Sequence, residues 1–383
     1  MRVIYATGAR FAGSGIGTTG YHTVHGLARH GMLQRVLCGS TAESDIPPER
    51  VWSLGAPSRL LRKLASLDMT HSLWYLESLL FEAWACARLE RADLLHVWSN
   101  YGLGLIRQAK RLGMVTVLER GSTHPSYQDR LLRTEYARWG LHYRSPQAAL
   151  RRIAAELQEA DYVLVPATQV RKTFLGEGFP AERLLELPYG ADVQRFRPAA
   201  GRAAHPFRVL FVGQVGVRKG VPALLDAWRA LGWRDAELWL VGRVEPGFGR
   251  LLSRWQGLPG VRLLGHIPNP VEAYQQSDVF ALPSLEEGSA LVSYEALACG
   301  LPVITTPNTG SVVRDGEEGL LVPPRAVDAL AAAIERLRSD EPLHRRMGRA
   351  ARARAEAFTW EHYEDTLAAL YQGLIGSRGG EPA

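Results

Sequence analysis

Short runs of β-branched and apolar residues alternate with longer helical stretches along the whole chain. The first such runs are Val3–Tyr5, Leu94–Val97, Val115–Leu118 and Tyr162–Val165. The pattern restarts at Phe207 and continues with Phe207–Val212, Glu237–Val241, Val261–Leu264, Val279–Leu282 and Pro302–Thr305. Strands that alternate with helices are typical of βαβ units and parallel sheets. The sequence therefore predicts an α/β protein with two doubly wound parallel-sheet domains that face a central cleft.

Small residues and prolines between the two strand series predict an exposed linker. The expected divisions are a first domain at 1–197, a linker at 198–206, a second domain at 207–355, a C-terminal helix at 356–375 and a tail at 376–383. Helical periodicity runs from about Leu343 to Leu374. Its Trp360, Tyr363 and Leu367 are expected to pack back on the first domain, and the tail is expected to be frayed.

The composition is that of a globular protein, with 46% hydrophobic and 22% charged residues. No apolar run approaches the ~18 residues that span a bilayer, and the N-terminus lacks the apolar core of a signal peptide. These features predict a cytoplasmic protein. Its net charge of +6 suits anionic partners such as nucleotide diphosphates or lipid phosphates. No nucleic-acid-binding motif is present, so nucleic acid is not an expected partner.

The most informative segment is Pro283–Pro302, in which a strand ends, a loop carries two glutamates and a helix follows. The helix is expected to begin near Ser289 and to end at Gly300 before a proline. Amides at a helix N-terminus favour an anion, so this segment predicts a diphosphate site. Six helical residues rise ~9 Å, which lets Glu287 reach a sugar while Glu295 accepts hydrogen bonds from a ribose.

A second candidate element, Phe211–Gly220, joins a strand, a glycine turn and two adjacent cations, Arg218 and Lys219. Such a loop suits neutralisation of a departing diphosphate. The spacing Gly15-x-Gly17-x-x-Gly20 also matches the dinucleotide fingerprint, but it starts well after Val3–Tyr5. The second strand also lacks the acid that would hold an NAD ribose. These two departures disfavour an NAD-dependent oxidoreductase.

The pair Glu287 and Glu295, eight positions apart in this loop and helix, resembles the family 4 glycosyltransferases of the GT-B fold, the "glycosyl transferases group 1" type. The resemblance implies two Rossmann-like domains, with Glu287 beside the donor sugar and Glu295 on the ribose. It also implies donor contacts from the backbone of Ser289, Ala290 and Leu291. The commonest family version reads Glu-Gly-Phe-Gly, and because Ser289 and Ala290 replace its last two residues, the sugar is not inferred.

Other motifs extend the resemblance over nearly the whole chain. The basic loop is similar to the family's Gly-Arg-Leu-x-x-x-Lys-Gly, with Lys219 on the lysine position and Arg218 supplying the charge that is missing at Gln214. The loop with Gly15 and Gly17 is similar to the glycine-rich first loop, which closes over donor phosphates and acceptor.

Histidines at strand ends in the first half are the last candidates. His124 follows the strand Val115–Leu118 and matches the family histidine that contacts the donor sugar. His96 is a weaker candidate for the acceptor side.

The resemblance implies retaining, metal-independent transfer of a hexose-type sugar from a UDP- or GDP-sugar to a hydroxyl group. The acceptor is expected to be a glycan, a lipid-linked molecule or a small molecule of cell-envelope or exopolysaccharide synthesis. No further cofactor is expected, and neither Asp-x-Asp nor zinc-spaced Cys/His occurs in the sequence. The alternatives are a non-hydrolysing nucleotide-sugar epimerase of related fold, an NAD-dependent oxidoreductase and a non-catalytic sugar or nucleotide binder.

The segment Arg59–Trp84 mixes Arg59, Arg62 and Lys63 with leucines and aromatic residues. A basic amphipathic segment of this kind could lie on an anionic membrane surface. Helices packed on the first sheet are the alternative interpretation. Peripheral contact with the inner membrane face is therefore a hypothesis.

Overall fold

The computed structural model describes residues 1–65, 72–143, 145–201 and 205–378, which form two parallel sheets with helices around them. The first sheet contains β1 (Val3–Phe11), β2 (Leu33–Thr41), β3 (Val51–Ser53), β4 (Leu94–Trp98), β5 (Val115–Glu119), β6 (Tyr162–Val165) and β7 (Leu184–Glu186). The second contains β8 (Phe207–Val212), β9 (Ala236–Val241), β10 (Val261–Gly265), β11 (Val279–Leu282), β12 (Val303–Thr305) and β13 (Gly319–Leu321). The predicted α/β class with two Rossmann-like sheets is confirmed.

Thirteen α-helices accompany these strands within the described ranges. Those before β8 are α1 (Ile16–Arg29), α2 (Ala56–Ala65), α3 (Ser72–Cys86), α4 (Leu103–Arg111), α5 (Pro125–Arg138), α6 (Gln147–Glu159) and α7 (Thr168–Gly176). Those after β8 are α8 (Val221–Leu231), α9 (Val271–Gln275), α10 (Leu291–Ala298), α11 (Val327–Ser339), α12 (Glu341–Ala357) and α13 (Trp360–Arg378).

Strand order determines where loops can form a binding site. The first sheet has the order β3-β2-β1-β4-β5-β6-β7 and the second β10-β9-β8-β11-β12-β13, with all pairs parallel. The order therefore reverses between β1 and β4 and between β8 and β11. Crevices at such reversals, beyond the carboxyl ends of the strands, are where open α/β sheets bind ligands. The central strands are buried along their length, as expected for sheets covered on both faces.

The first strand corrects one step of the sequence argument. β1 continues to Phe11, well beyond the predicted Val3–Tyr5. Gly15 therefore follows the strand after a short loop and caps the N-terminus of α1. The distance between strand and glycine fingerprint is thus no argument against dinucleotide binding, and the observation that remains is that β2 itself ends at Thr41 without an acidic residue.

The C-terminal segment forms two helices, although its helical periodicity runs without a break from about Leu343 to Leu374. α12 ends at Ala357, and α13 begins at Trp360 after a two-residue extended segment. That segment runs beside Ala191, whose amide donates to the Phe358 carbonyl (2.8 Å) and whose carbonyl accepts from the Trp360 amide (3.4 Å). The two passages of the chain between the sheets therefore touch each other.

α13 packs against α1 and the first sheet. Tyr363, Leu367 and Tyr371 are buried there, and the Tyr363 hydroxyl lies 2.9 Å from Thr23 Oγ1. The helix continues to Arg378, so residues 376–378 are helical although a frayed tail is predicted for them. Residues 379–383 of that tail, and 202–204 of the predicted linker, lie outside the described residues. The domain boundaries themselves stay a prediction.

Candidate functional site

Two loops follow the neighbouring strands β8 and β11 and contact each other. The Leu285 amide donates to the Arg218 carbonyl over 2.8 Å. Gly220 has φ +72°, and a Cβ there would lie 1.9 Å from the Pro283 carbonyl oxygen. Only glycine combines this backbone conformation with such a close approach. The sheet topology and Gly220 together place the basic loop against the loop that carries the glutamates.

Arg218, Lys219 and Glu287 meet where these loops touch. Lys219 Nζ and Arg218 Nη1 each lie 2.6 Å from Glu287 Oε1. The Lys219 and Glu287 side chains are only 11% and 12% exposed, so this is a largely desolvated charge cluster. Burial lowers the pKa of Lys219, although Glu287 opposes that shift. The structure therefore brings together Arg218 and Lys219, which the sequence predicts to neutralise the leaving group, and Glu287, which is predicted to lie beside the sugar.

The helix beyond Glu287 begins later than predicted. α10 starts at Leu291, with Ala290 at its N-cap and Ser289 outside the helix. The Ser289 hydroxyl lies 3.0 Å from the Tyr294 hydroxyl, and the Ala290 amide donates to the Thr309 carbonyl (3.3 Å). The amides of Ser289 and Leu291 have no acceptor among the residues that the structure describes. These two amides, with the positive end of the helix, suit an anion.

Glu295 lies on the second turn of α10. Because the helix begins at Leu291 and not near Ser289, fewer helical residues separate Glu295 from the N-terminus of the helix than the six that were predicted. Its Oε2 accepts a hydrogen bond from the Tyr274 hydroxyl over 2.7 Å. Burial raises the pKa of this carboxyl, and the bond from Tyr274 lowers it in part. The carboxylate is therefore held in a fixed orientation by a buried tyrosine.

His124 lies at the N-cap of α5, in the loop after β5 of the first half. Its Nδ1 accepts from the Ser126 amide (3.3 Å), and its own amide donates to Thr173 Oγ1 (3.0 Å). The ring meets Phe174 edge-on, with centroids 5.0 Å apart. Burial lowers the pKa of His124, which favours a neutral ring. Because Nδ1 accepts from the Ser126 amide, the proton of the neutral ring lies on Nε2.

Gly15 and Gly17 lie in the first half, at the start of α1. Gly15 has φ +61°, and a Cβ on Gly17 would lie 2.3 Å from the Arg10 carbonyl oxygen. Both glycines are needed for the backbone path of this turn. The described hydrogen bonds of this loop stay within the first half, and none of them joins it to the Lys219 cluster.

His96, by contrast, is wrong as an acceptor-facing residue. Its ring is fully buried in the first sheet, with Nδ1 2.5 Å from the Tyr371 hydroxyl and Nε2 2.9 Å from Glu119 Oε2. Glu119 also accepts from the Tyr189 hydroxyl (3.0 Å). The position on a strand end suggested a site, but both ring nitrogens serve a buried network under α13.

Sequence reasoning missed Glu286, which neighbours Glu287 and is fully buried. Its carboxylate accepts hydrogen bonds from Ser122, Thr123 and Gln128 of the first half. The only signal for Glu286 in the sequence was that it stands next to Glu287. Side chains of consecutive loop residues point in different directions, so two adjacent acids can have different partners. Among the described residues, no group of three or more His, Cys, Asp or Glu side chains could hold a metal ion.

Comparisons with known proteins agree with this geometry. A model described as "Glycosyl transferase 4-like domain" matches residues 14–190, and one described as "Glycosyl transferases group 1" matches residues 206–340. The two matches together span most of the chain and include both contacting loops of the second half.

Two curated relatives and one solved structure illustrate the similarity. An MMP α-(1→4)-mannosyltransferase of Mycolicibacterium hassiacum is 29% identical over 74% of this chain and 71% of its own length. A D-inositol 3-phosphate glycosyltransferase of Corynebacterium jeikeium is 33% identical over 62% of this chain and 63% of its own length, which is less than two thirds. HepE of Anabaena, solved with UDP and glucose, has a TM-score of 0.71 at 18% identity, over 97% of this chain and 99% of HepE.

Neither the epimerase nor the oxidoreductase alternative is favoured by these comparisons. Matches to both halves, two parallel sheets and relatives that are named as glycosyltransferases lead to one assignment. The chain belongs to the group 1 glycosyltransferases of family 4 and is an enzyme of the GT-B fold.

Proposed function

We propose that this glycosyltransferase is retaining and metal-independent, and that it moves a hexose-type sugar from a UDP- or GDP-sugar to a hydroxyl group. The observation that carries the proposal is the cluster in which Arg218 and Lys219 share the Glu287 carboxylate in front of α10. Fixed cations in a desolvated site stabilise the charge that develops on a departing diphosphate. Without a donor, Glu287 supplies the negative charge that these cations require.

The second half supplies most of the donor contacts in this proposal. The amides of Ser289 and Leu291 donate to the diphosphate, while the neighbouring Ala290 supports the turn through its bond to Thr309. Glu295 accepts the ribose hydroxyls, with Tyr274 fixing its carboxylate. Glu287 lies beside the donor sugar once the diphosphate has replaced it on the cations.

The first half closes over the sugar. His124 contacts the sugar through Nε2, which carries the proton because Nδ1 accepts from Ser126. Support comes from its loop, because the adjacent Thr123 reaches Glu286 of the second half. The loop with Gly15 and Gly17 covers the donor phosphates and the acceptor.

In the transfer itself, the acceptor oxygen forms a bond to the anomeric carbon on the face from which the diphosphate departs. The bond from that carbon to the diphosphate oxygen breaks, and the acceptor proton passes to the departing phosphate. Arg218 and Lys219 neutralise the charge that accumulates there. No enzymatic nucleophile is assigned, and retention rests on family membership.

The comparisons support the classes of donor and acceptor. The HepE structure contains UDP and glucose, which supports a nucleotide-sugar donor. The relatives are named for a mannosyl transfer and for D-inositol 3-phosphate, which supports a polyol or sugar hydroxyl as acceptor. We place the reaction in synthesis of an envelope or extracellular glycan or glycolipid, on the cytoplasmic side of the membrane.

Peripheral membrane contact is part of the proposal. Leu60 and Leu64 of α2 are 60% and 44% exposed, and Leu76 and Leu80 of α3 are 53% and 42% exposed. Arg59 and Lys63 each directly precede one leucine of the first pair. Exposed leucines beside cations suit an anionic lipid surface. Within the described residues, no helix is both long and apolar enough to cross a bilayer. Leu67, which is part of the amphipathic segment, lies outside the described residues.

A two-stage assay tests the proposal. Thermal shift with UDP, GDP, ADP and their sugars should identify a donor, since a ligand that binds only the folded state raises its stability. Transfer to polyol and glycan acceptors should then yield a product with the anomeric configuration of the donor, and activity should persist in EDTA. Inversion or strict metal dependence would contradict the mechanism. Conversion of the donor without an acceptor would favour the epimerase, and binding without turnover would favour a non-catalytic binder.

A further inference from the structure

The carboxylate of Glu286 joins the two halves of the molecule. Its Oε1 accepts from Ser122 Oγ (2.9 Å), from the Thr123 amide (3.2 Å) and from Thr123 Oγ1 (2.7 Å). Its Oε2 accepts from Gln128 Nε2 (3.1 Å). All of these donors belong to the first half, at the β5–α5 loop and the first turns of α5. The side chain is fully buried, so this contact exists only while the halves are together.

The same carboxylate also faces a cation of the proposed donor site. Arg218 Nη1 lies 3.5 Å from Glu286 Oε2 and donates to the Glu286 carbonyl over 3.1 Å. It is also the atom that lies 2.6 Å from Glu287 Oε1. Arg218 therefore lies between two carboxylates, and Glu286 connects it to Ser122 and Thr123 of the opposite half.

The two sets of contacts depend on each other. An ionised carboxylate offers about four acceptor positions, and the first half occupies most of those on Glu286. If the halves separate, these donors leave, and water takes their place on the carboxylate. Arg218 then becomes its main remaining partner and is held more strongly away from a phosphate. Closure consequently releases Arg218 toward the donor, and a donor phosphate on Arg218 favours closure, because such coupling is reciprocal.

We propose that Glu286 is a positioning residue that couples closure of the two halves to the availability of Arg218 for the donor diphosphate. The inference rests on the proposed function, because only an anionic donor requires Arg218. It assigns a role to a residue outside the Glu287 and Glu295 pair. It also gives Ser122 and Thr123 an effect on nucleotide binding although they lie in the opposite half.

The test measures binding of UDP, GDP and ADP by calorimetry and kcat by transfer assay. In Ser122→Ala/Thr123→Val, the nucleoside diphosphate that binds the wild type should bind at least about fivefold more weakly. In Glu286→Gln, which removes a competing anion, it should bind at least about fivefold more tightly, while kcat falls at least about tenfold because closure is weakened. Adding the Ser122 and Thr123 changes to Glu286→Gln should alter binding by less than about twofold, since neighbours that act through one group are not additive.

Glu135→Gln is the matched control. Glu135 is also buried and crosses between the halves, with Oε1 3.0 Å from Arg325 Nη1, but it has no described contact with Arg218. Its amide oxygen can still accept from Arg325, so binding and kcat should stay within about twofold of the wild type.

Several outcomes would overturn the coupling. If Glu286→Gln and the Ser122/Thr123 variant both weaken binding in proportion to their loss of Tm, Glu286 is only structural. If Glu286→Gln fails to fold, unchanged nucleotide affinity in the Ser122/Thr123 variant overturns the proposal by itself. A wild type that binds and transfers while the variants match Glu135→Gln refutes only the coupling. A wild type that binds no nucleoside diphosphate refutes the proposed function and the coupling with it.

Discussion

Lys219 Nζ lies 2.6 Å from Glu287 Oε1 in a site from which water is largely excluded. Arg218 Nη1 lies at the same distance from that oxygen, so two cations share a single carboxylate oxygen. Under the proposed function, sugar transfer from a diphosphate requires Arg218 and Lys219 to exchange the Glu287 carboxylate for the diphosphate. In the proposed function, the donor displaces Glu287 from the cations, and Glu287 then faces the sugar.

Glu287→Gln should separate binding from turnover. Without the carboxylate charge, Lys219 and Arg218 are available to a nucleoside diphosphate, so its affinity should be kept or increase. Loss of the group beside the sugar should lower kcat by about 10²–10³. Calorimetry and initial rates measure the two effects, with the exposed Glu272→Gln as a control. An unchanged kcat would remove Glu287 from the catalytic machinery.

Lys219→Ala should weaken nucleoside diphosphate binding and turnover together, because the cation acts on the diphosphate before and during its departure. We expect a loss of at least about tenfold in affinity and about 10²-fold in kcat/KM. Lys219→Arg should recover part of both, since the charge is retained. Equal activity in Lys219→Ala and the wild type would mean that the leaving group lies elsewhere.

Gly288 marks how closely the halves approach. A Cβ at this position would lie 2.1 Å from the Gly121 carbonyl oxygen of the opposite half. Gly288→Ala should therefore hold the halves apart and lower kcat at least about tenfold, with little change in Tm. Gly176→Ala is the control, because a Cβ there meets nothing within 4 Å. Full activity in Gly288→Ala would show that turnover does not need this approach.

Tyr371→Phe tests how strongly the C-terminal helix is anchored. Its hydroxyl lies 2.5 Å from His96 Nδ1 in a fully buried environment, so the substitution leaves a buried nitrogen without its partner. The free energy of unfolding should fall by about 1–3 kcal/mol, as measured by denaturant unfolding. A loss below about 0.5 kcal/mol, typical of surface changes, would contradict this role.

The contact between α1 and α13 should make stability depend on pH through Glu364. His22 Nδ1, His25 Nδ1 and Arg29 Nη1 each lie 2.9 Å from its carboxylate. Burial raises the pKa of Glu364, but these hydrogen bonds outweigh burial and hold the pKa below its ordinary value of 4.5. A lowered folded pKa contributes stability that is complete above the unfolded value and is lost as pH falls through the folded value.

The free energy of unfolding of the wild type should therefore decline in acid more steeply than that of Glu364→Gln. Nearby Glu361 and Asp365 approach Arg29 and are unchanged in both proteins. Denaturant unfolding at a series of pH values below neutrality makes the comparison. Parallel pH profiles for the two proteins would exclude Glu364 as the origin of the effect.

Much of this architecture could be predicted from local patterns. Alternating strands and helices indicated two parallel sheets, and the basic loop and the Glu287 loop follow two strands that are neighbours in the second sheet. Their meeting is a consequence of topology, because the carboxyl ends of paired parallel strands lie together. The extent of β1 was missed because Gly8 and Arg10 within it resemble a loop.

Contacts between the halves could not be predicted in the same way. Nothing in the sequence near Glu286 predicts its partners Ser122 and Thr123, which are more than 160 positions away. His96 was misjudged for a related reason. A histidine near a strand end can face a cleft or the core, and the decision depends on Tyr371, which arrives from the other end of the chain.

The paired passages at Ala191 and Thr359 have a consequence for the exchange of parts between related enzymes. The unit around the first sheet is assembled from both termini, since α13 covers α1. A single cut after the first sheet would leave that unit without its last helix. A recombinant enzyme with a new donor-binding half should therefore be spliced at two places, 191 and 359, which the fold already holds side by side.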